Sequence, residues 1–262
     1  MLKKLLKYDL KWCYKPLLVF YSLTIFFAVL VRIIESFDET LLILVIDKIC
    51  CGALIAMMIN IVINSLMRNW ARFVRNTYKD ESYLTHTLPV TKNQIFLSKV
   101  LTAIITLLTS FIVIIAALAI ATLNEDTWMF LKDTLEQSAI YFNSSVFSLV
   151  FVMVITIFFE FLFMIMSGIM GIIIGHKSNN LKIVKSIVIG FVIYTSLSLL
   201  SLLVLYCAGL INSDLMAIFE SVNVSSSAMK SMMLIAVVVY AIYNIGIYLV
   251  GNKLLNKGVN VD

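Results

Sequence analysis

The amino-acid sequence predicts an all-α integral membrane protein with six transmembrane helices. Of its 262 residues, 61% are hydrophobic and only 13% are charged, whereas soluble domains average about 45–50% and about 25%. Its mean hydropathy is +1.02. Six apolar stretches can each cross a bilayer core of about 30 Å at 1.5 Å per residue. The connections between them are short, so we expect one transmembrane domain over 1–262.

The chain begins with a basic, amphipathic segment. Lys3, Lys7, Lys11 and Lys15 recur every four residues, opposite apolar residues such as Leu6. This spacing predicts a helix over 1–16 that lies on the anionic inner leaflet, which makes membrane lipid a partner. A basic segment before an apolar run is also typical of a signal peptide, but no small-residue cleavage site follows. We therefore interpret 17–34 as an uncleaved first span.

The other spans follow from the remaining apolar runs. They are predicted at about 49–67, 95–123, 145–174, 186–211 and 231–250. Between the second and third, a short helix is predicted at about 80–88, because Pro89 stops it and Thr91 and Gln94 form a capping box for the next helix. A helix held between two spans can transmit force, which a flexible loop cannot.

Charge distribution predicts the orientation. With the amino terminus inside, the inner segments hold 16 basic residues and four acids, whereas the outer segments hold four basic residues and ten acids. Lys and Arg are retained on the cytoplasmic side, so both termini are expected in the cytoplasm. The net charge of +5 reflects this sorting, and no nucleic-acid partner is predicted.

Motifs for chemistry within this chain are missing. The sequence contains no G-x-x-x-x-G-K-[ST] loop for ATP. His86 and His176 stand alone on their loops, without H-E-x-x-H or a cysteine cluster. We therefore expect no catalytic residue, no metal site and no cofactor in this chain, and an intramembrane enzyme is disfavoured.

Glu160 is the one acidic residue in the middle of a predicted span. An ionised carboxylate there costs about 2.5–3.5 kcal/mol even on an insertion scale, so it must be neutral, paired or in contact with water. Thr156 shares its helical face. Two interpretations stay open: Glu160 lines a path for substrate or protons, or its carboxyl joins helices by a hydrogen bond.

Several polar or small residues recur at helical spacing in the spans. Tyr194, Ser198 and Ser201 form one stripe, and Thr102, Thr106 and Thr109 form another. Such stripes can face a cavity, or their hydroxyls can bond to their own helix backbone. The small residues Ser167, Gly171 and Gly175 indicate close helix packing.

The loop after the second span resembles permease subunits of type-2 ATP-binding-cassette exporters, especially bacterial peptide-antibiotic and lantibiotic-immunity permeases. The resemblance lies in Glu81-Ser82-Tyr83-Leu84-Thr85-His86-Thr87-Leu88-Pro89-Val90-Thr91-Lys92 and Gln94-Ile95-Phe96-Leu97-Ser98-Lys99. In such families, a similar stretch forms the coupling helix that docks on the ATPase. The six-span plan and the amphipathic amino-terminal helix agree with this resemblance over the whole chain.

The resemblance implies a multi-pass subunit of a bacterial cell membrane that exports or extracts a hydrophobic or amphipathic compound, such as a peptide. Two separate ATPase subunits would bind ATP and Mg²⁺, and a second copy or a related permease would complete the pore. It implies ATPase contacts at Glu81, Ser82, Tyr83, Leu84, Thr85, His86 and Thr87, with His176 and Lys177 as a second contact. The candidate pathway residues are Glu160, Thr156, Tyr194 and Ser198. A proton- or ion-coupled carrier that uses Glu160, and a sensor subunit without transport, remain as alternatives.

Overall fold

The computed structural model is all-helical over the residues it describes. These are 1–37, 40–79, 81–122, 124–178, 180–220 and 225–258, without the side chains of residues 86, 125 and 126. Within these ranges there are nine helices, and six of them are long and apolar enough to cross a membrane. The prediction of six spanning helices is therefore confirmed.

The six long helices are α1 (Leu2–Ile34), α2 (Leu41–Thr77), α4 (Lys92–Thr122), α6 (Val146–Gly175), α7 (Lys182–Ile211) and α9 (Ser226–Asn256). The shorter helices are α3 (Ser82–Thr87), α5 (Glu125–Tyr141) and α8 (Ser213–Glu220). Thr91 begins α4 as predicted, since its hydroxyl accepts a hydrogen bond from the Gln94 amide at 3.3 Å. The predicted helix at 80–88 corresponds to α3, and Asp80 lies outside the described residues.

The amino-terminal segment differs from the prediction. Residues 1–16 were expected as a separate helix on the membrane surface, but α1 continues without interruption from Leu2 through Pro16 to Ile34. Asp9, Cys13 and Leu17 are buried on one face of this helix. Contacts of that face hold the segment in line with the first span. Its lysines are exposed, as the amphipathic pattern requires.

The chain forms two compact units, Met1–Met129 and Phe130–Asp262. In the first unit, α1 packs against both α2 and α4. One apolar core cluster of this unit contains Ala28, Val31 and Leu54, and another contains Leu17 and Ile61. Burial of these side chains holds α1, α2 and α4 together, and α3 contacts α2.

In the second unit, α6 packs against α7 and α9. The small residues of α6 allow a very close contact with α7: a Cβ on Gly171 would lie 2.5 Å from the Cα of Gly190, and one on Gly175 would lie 2.6 Å from the backbone nitrogen of Ser186. The predicted packing role of this small-residue series is confirmed.

Replacing Gly171 by Ala should destabilise the second unit by about 1–3 kcal/mol, because the added methyl group overpacks the α6–α7 contact. Gly246→Ala is the matched control. Gly246 lies in α9, where an added Cβ meets nothing within 4 Å, so this substitution should be neutral or stabilising by up to about 1 kcal/mol. Thermal unfolding of the two purified variants checks the difference. Equal unfolding midpoints would contradict the close contact.

Candidate functional site

The candidate site of the first unit is a network of charged and polar side chains, all buried except the half-buried Glu81, that we call the anchor network. It consists of Asp9, Arg72, Asn76, Glu81, Thr85, Ser98 and Lys99. These residues come from α1, from α2, from α3 with its N-cap residue, and from α4. The network therefore connects the short helix to three long ones.

Asp9 is the central acceptor of the anchor network, and only 2% of it is exposed. Its Oδ1 accepts hydrogen bonds from Arg72 Nε at 2.8 Å and from Lys99 Nζ at 2.6 Å. Its Oδ2 accepts from the Ser98 hydroxyl at 2.7 Å. One carboxylate of α1 thus joins a cation of α2 to a cation of α4.

Glu81 attaches the beginning of α3 to α2. Its Oε2 accepts from Arg72 at 2.5 Å, and its Oε1 lies 2.9 Å from Arg75 Nε. Glu81 was predicted to contact the ATPase, but the structure gives it two arginines of its own chain. It holds α3 in place from the side of α2.

Asn76 and Thr85 form the second attachment of α3. The amide nitrogen of Asn76 donates to the Thr85 hydroxyl at 2.8 Å, and its amide oxygen accepts from Lys99 Nζ at 2.6 Å. Thr85 also donates to the backbone oxygen of Glu81 at 2.9 Å. Glu81 and Thr85 lie one turn apart and both bond to α2. The two attachments together fix the rotation of α3 about its axis.

The two attachments determine which face of α3 is presented outward. Ser82 and Thr85 are buried against the anchor network. Tyr83 and Leu84 are each 71% exposed, and Thr87 is also exposed. Of the predicted contact residues, Tyr83, Leu84 and Thr87 are therefore available to a partner, while Ser82 and Thr85 point inward. The side chain of His86 lies outside the described residues.

Aromatic side chains support the anchor network. The Arg72 guanidinium lies 5.6 Å from the centre of the Trp12 ring, which allows a cation–π interaction. Phe73 contacts Tyr78 and Phe96 edge to face, with ring centres 6.2 Å apart in both pairs. Burial raises the pKa of Tyr78, which stays neutral in the link between α2 and α3. Tyr78 is therefore packed at the end of α2.

The threonine stripe of the third span continues the polar contacts along α4. Thr106 accepts from Asn69 at 3.0 Å, and Thr109 lies 2.9 Å from the Tyr14 hydroxyl. Thr102 donates to the backbone oxygen of Ser98. These hydroxyls bond to their own helix and to α1 and α2, so this stripe is used in helix contacts.

The second inner loop exposes only one of the two residues predicted to contact the ATPase. His176 is buried, with Nδ1 3.0 Å from the Ile172 oxygen and 3.2 Å from the Ser186 hydroxyl. It joins α6 to α7, and only Lys177 of the predicted pair is exposed. Sequence reasoning missed Leu181, which is 70% exposed and has a left-handed backbone with φ of 54°. That conformation is uncommon for a bulky residue.

The candidate pathway residues lie in the second unit. Glu160 is half-buried on α6, one turn before Phe163, whose ring stacks on Tyr194 of α7 and on Tyr240 of α9. Thr156 donates to the Val152 oxygen and Ser198 to the Tyr194 oxygen. The structure therefore brings Glu160 and Tyr194 together, while Thr156 and Ser198 bond to their own helices.

Aromatic rings surround the position one turn beyond Glu160. Phe163 is fully buried, and its ring centre lies 5.2 Å from that of Tyr194, 5.7 Å from that of Tyr240 and 5.5 Å from that of Tyr243. The three tyrosines are half-buried. Phe163 thus gathers three partly accessible tyrosines one helical turn from Glu160.

Over the described residues, no group of three or more His, Cys, Asp or Glu side chains is placed to hold a metal ion. Comparison with protein-family models, curated proteins and solved structures finds no match for this chain. Functional inference therefore rests on the anchor network, the exposed face of α3 and the surroundings of Glu160.

Proposed function

We propose that this chain is the membrane-spanning subunit of an ATP-driven exporter, which moves or extracts a hydrophobic or amphipathic compound such as a peptide. ATP, with Mg²⁺, is bound and hydrolysed by two separate ATPase subunits. A second copy of the chain, or a related permease, completes the pore in a bacterial cell membrane. One observation carries this proposal. The buried face of α3 is attached to the anchor network, and the opposite face exposes Tyr83 and Leu84.

The anchor network supports the role of α3 as a coupling helix. Buried charges resist separation from their partners, because an unpaired charge in the protein interior is costly. A displacement of α3 therefore shifts Glu81 and Thr85 and, through Arg72 and Asn76, also Asp9 and Lys99. This is a direct mechanical connection from the loop to α1, α2 and α4.

The exposed face of α3 supports a protein partner. Tyrosine and leucine side chains on a short loop helix lose little entropy when they dock, and tyrosine is enriched among residues that dominate binding energy. The charge distribution puts this loop on the cytoplasmic side, where ATPase subunits are found. Lys177 and Leu181 form a smaller exposed surface in the second inner loop, which we assign to a second ATPase contact.

One observation favours a second candidate function, a proton- or ion-coupled carrier. Among the described residues, no hydrogen bond or salt bridge reaches Glu160. A titratable carboxyl in that position is typical of proton relays in transporters. A carrier would be driven by a proton or ion that binds at Glu160, whereas the exporter would be driven by an ATPase that moves α3.

Transport by reconstituted wild-type and Glu160→Gln protein separates these two functions. With a neutral, fluorescently labelled lipid as cargo, we expect transport that needs both the ATPase and ATP, and that changes only a few-fold in Glu160→Gln. Glutamine keeps the size of the side chain but cannot release a proton. Transport by wild-type protein down a proton gradient without ATPase, lost in the Gln variant, would contradict the exporter.

The acidic outer segments suggest that the cargo is cationic. Sorting of Lys and Arg does not by itself require acids outside, since acids contribute little to topology. Asp133 and Glu136 lie exposed on α5, and Glu125 and Asp126 begin that helix. Replacing all four by their amides should lower export of a cationic peptide several-fold, and more at low salt, because screening weakens the attraction. Equal export of cationic and neutral peptides by the variant would remove this idea.

A further inference from the structure

The surroundings of Glu160 on α6 lack a positive charge within the second unit. Glu160 is 14 residues from the start of α6, about 21 Å along the helix axis. The closest lysines along the neighbouring helices are Lys185, nine residues from Tyr194, Lys230, ten residues from Tyr240, and Lys253, ten residues from Tyr243. These separations correspond to about 14–15 Å, and Lys185 already donates to Ser178. Among the described residues of this unit, no lysine or arginine forms a salt bridge with Glu160.

The aromatic groups beside Glu160 have the chemistry to bind a cation. Tyr194, Tyr240 and Tyr243 come from two helices, and all pack on Phe163. Phe163 is fully buried, but the tyrosines keep part of their surface accessible. The faces of tyrosine rings attract ammonium and guanidinium groups, and this attraction is strongest where water is excluded. A carboxylate next to such rings adds a full negative charge.

We infer that Glu160, Tyr194, Tyr240 and Tyr243 form a binding site for the positively charged group of an amphipathic cargo. This inference rests on the proposed exporter function and names the class of its cargo. The cation neutralises the carboxylate, which otherwise carries the cost of a charge in the middle of a span. The apolar part of the cargo then contacts the apolar surfaces of α6 and α7, where residues such as Ile157 and Phe191 are exposed.

Equilibrium dialysis with tetraphenylphosphonium tests this site on the purified full chain, in an uncharged detergent and without ATPase. Tetraphenylborate serves as a probe of the same shape and opposite charge. We expect saturable binding of the cation only. Glu160→Gln should weaken it by about tenfold or more, since a charge is removed, and Tyr240→Leu should weaken it by about three- to tenfold. Glu220→Gln, a matched change at an exposed carboxylate at the end of α8, should leave it unchanged.

Three results would overturn the binding site: no saturable uptake of the cation, equal uptake of both ions, or wild-type affinity in Glu160→Gln. A carboxyl that only joins helices would give the last result together with a lower unfolding temperature. If Glu160→Gln does not fold, wild-type affinity in Tyr240→Leu overturns the site instead. Absence of saturable cation binding by the wild-type chain, with intact ATP-driven transport of a neutral lipid, removes the cation site alone. Intact binding without ATPase coupling removes the exporter.

Discussion

Replacing Asp9 by Asn should lower the free energy of unfolding by about 3–5 kcal/mol, because Arg72 and Lys99 would keep their buried charges without a carboxylate. Both cations bond to Asp9 at 2.6–2.8 Å, in surroundings from which water is largely excluded. Thermal unfolding of the purified protein, followed together with its recovery from membranes, measures the effect. The expected result is a large drop in both.

Glu136→Gln is the matched control for Asp9→Asn. It also removes a carboxylate that faces a lysine, but Glu136 and Lys132 are 3.9 Å apart and exposed, so its cost should be at most about 1 kcal/mol. Adding Lys99→Met to Asp9→Asn should recover part of the lost stability, because it removes one of the two buried cations that Asp9→Asn leaves without a carboxylate. Wild-type stability of Asp9→Asn would show that Asp9 is not the central acceptor.

The double substitution Tyr83→Ala and Leu84→Ala should lower transport-coupled ATP turnover by about tenfold or more. Truncation of a residue that dominates an interface costs about 2 kcal/mol or more, and these two supply the apolar part of the exposed face of α3. Membrane insertion and thermal stability should stay at wild-type values, since neither side chain belongs to the anchor network. ATP hydrolysis by the reconstituted complex, with and without cargo, gives the measurement.

Phe130→Ala with Leu131→Ala is the matched control for this double substitution. Phe130 and Leu131 are likewise a consecutive aromatic and leucine, 73% and 45% exposed on α5, a helix that the charge distribution predicts on the other side of the membrane. Their removal should leave ATP turnover unchanged. Wild-type turnover and complex recovery in the Tyr83 and Leu84 variant would contradict docking through α3.

The spans and the short helix could be predicted because their signals are local. Apolar runs of sufficient length determine a spanning helix, and Pro89 with the Thr91 cap determines where α3 stops and α4 starts. Continuity of α1 through Pro16 could not be predicted. It depends on burial of Asp9, Cys13 and Leu17 against other helices, and a local pattern does not contain those contacts.

The anchor network was only partly visible in the sequence. Asp9 is the single acid among the lysines of the first 16 residues, one turn before Cys13 on the apolar side, and such a lone acid could have indicated a buried partner. Ser98 and Lys99 belong to the segment that resembles the exporter permeases, but pairing them with Asp9 requires a contact across 90 residues. The spacing of residues in a sequence indicates which side chains share one face of a helix. It does not indicate which faces pack against each other.

The same limit explains the contacts that the sequence did not indicate. Glu81 and His176 were predicted as contacts for the ATPase, and each also has partners on a neighbouring helix of its own chain. Tyr194 was placed on a polar stripe, but its stacking on Phe163 together with Tyr240 and Tyr243 depends on the packing of three helices. Long-range contacts thus determine both candidate sites.

Photocrosslinking from α3 tests most directly whether this chain is driven by a separate ATPase. A benzophenone amino acid at position 83 is introduced into the chain, which is then produced together with the proteins that its neighbouring genes encode. The same label at position 130 is the control. We expect a crosslink from position 83 to a P-loop ATPase among these proteins, none from position 130, and loss of the crosslink with Leu84→Ala. Recovery of the intact complex with no crosslink from position 83 would contradict coupling through α3.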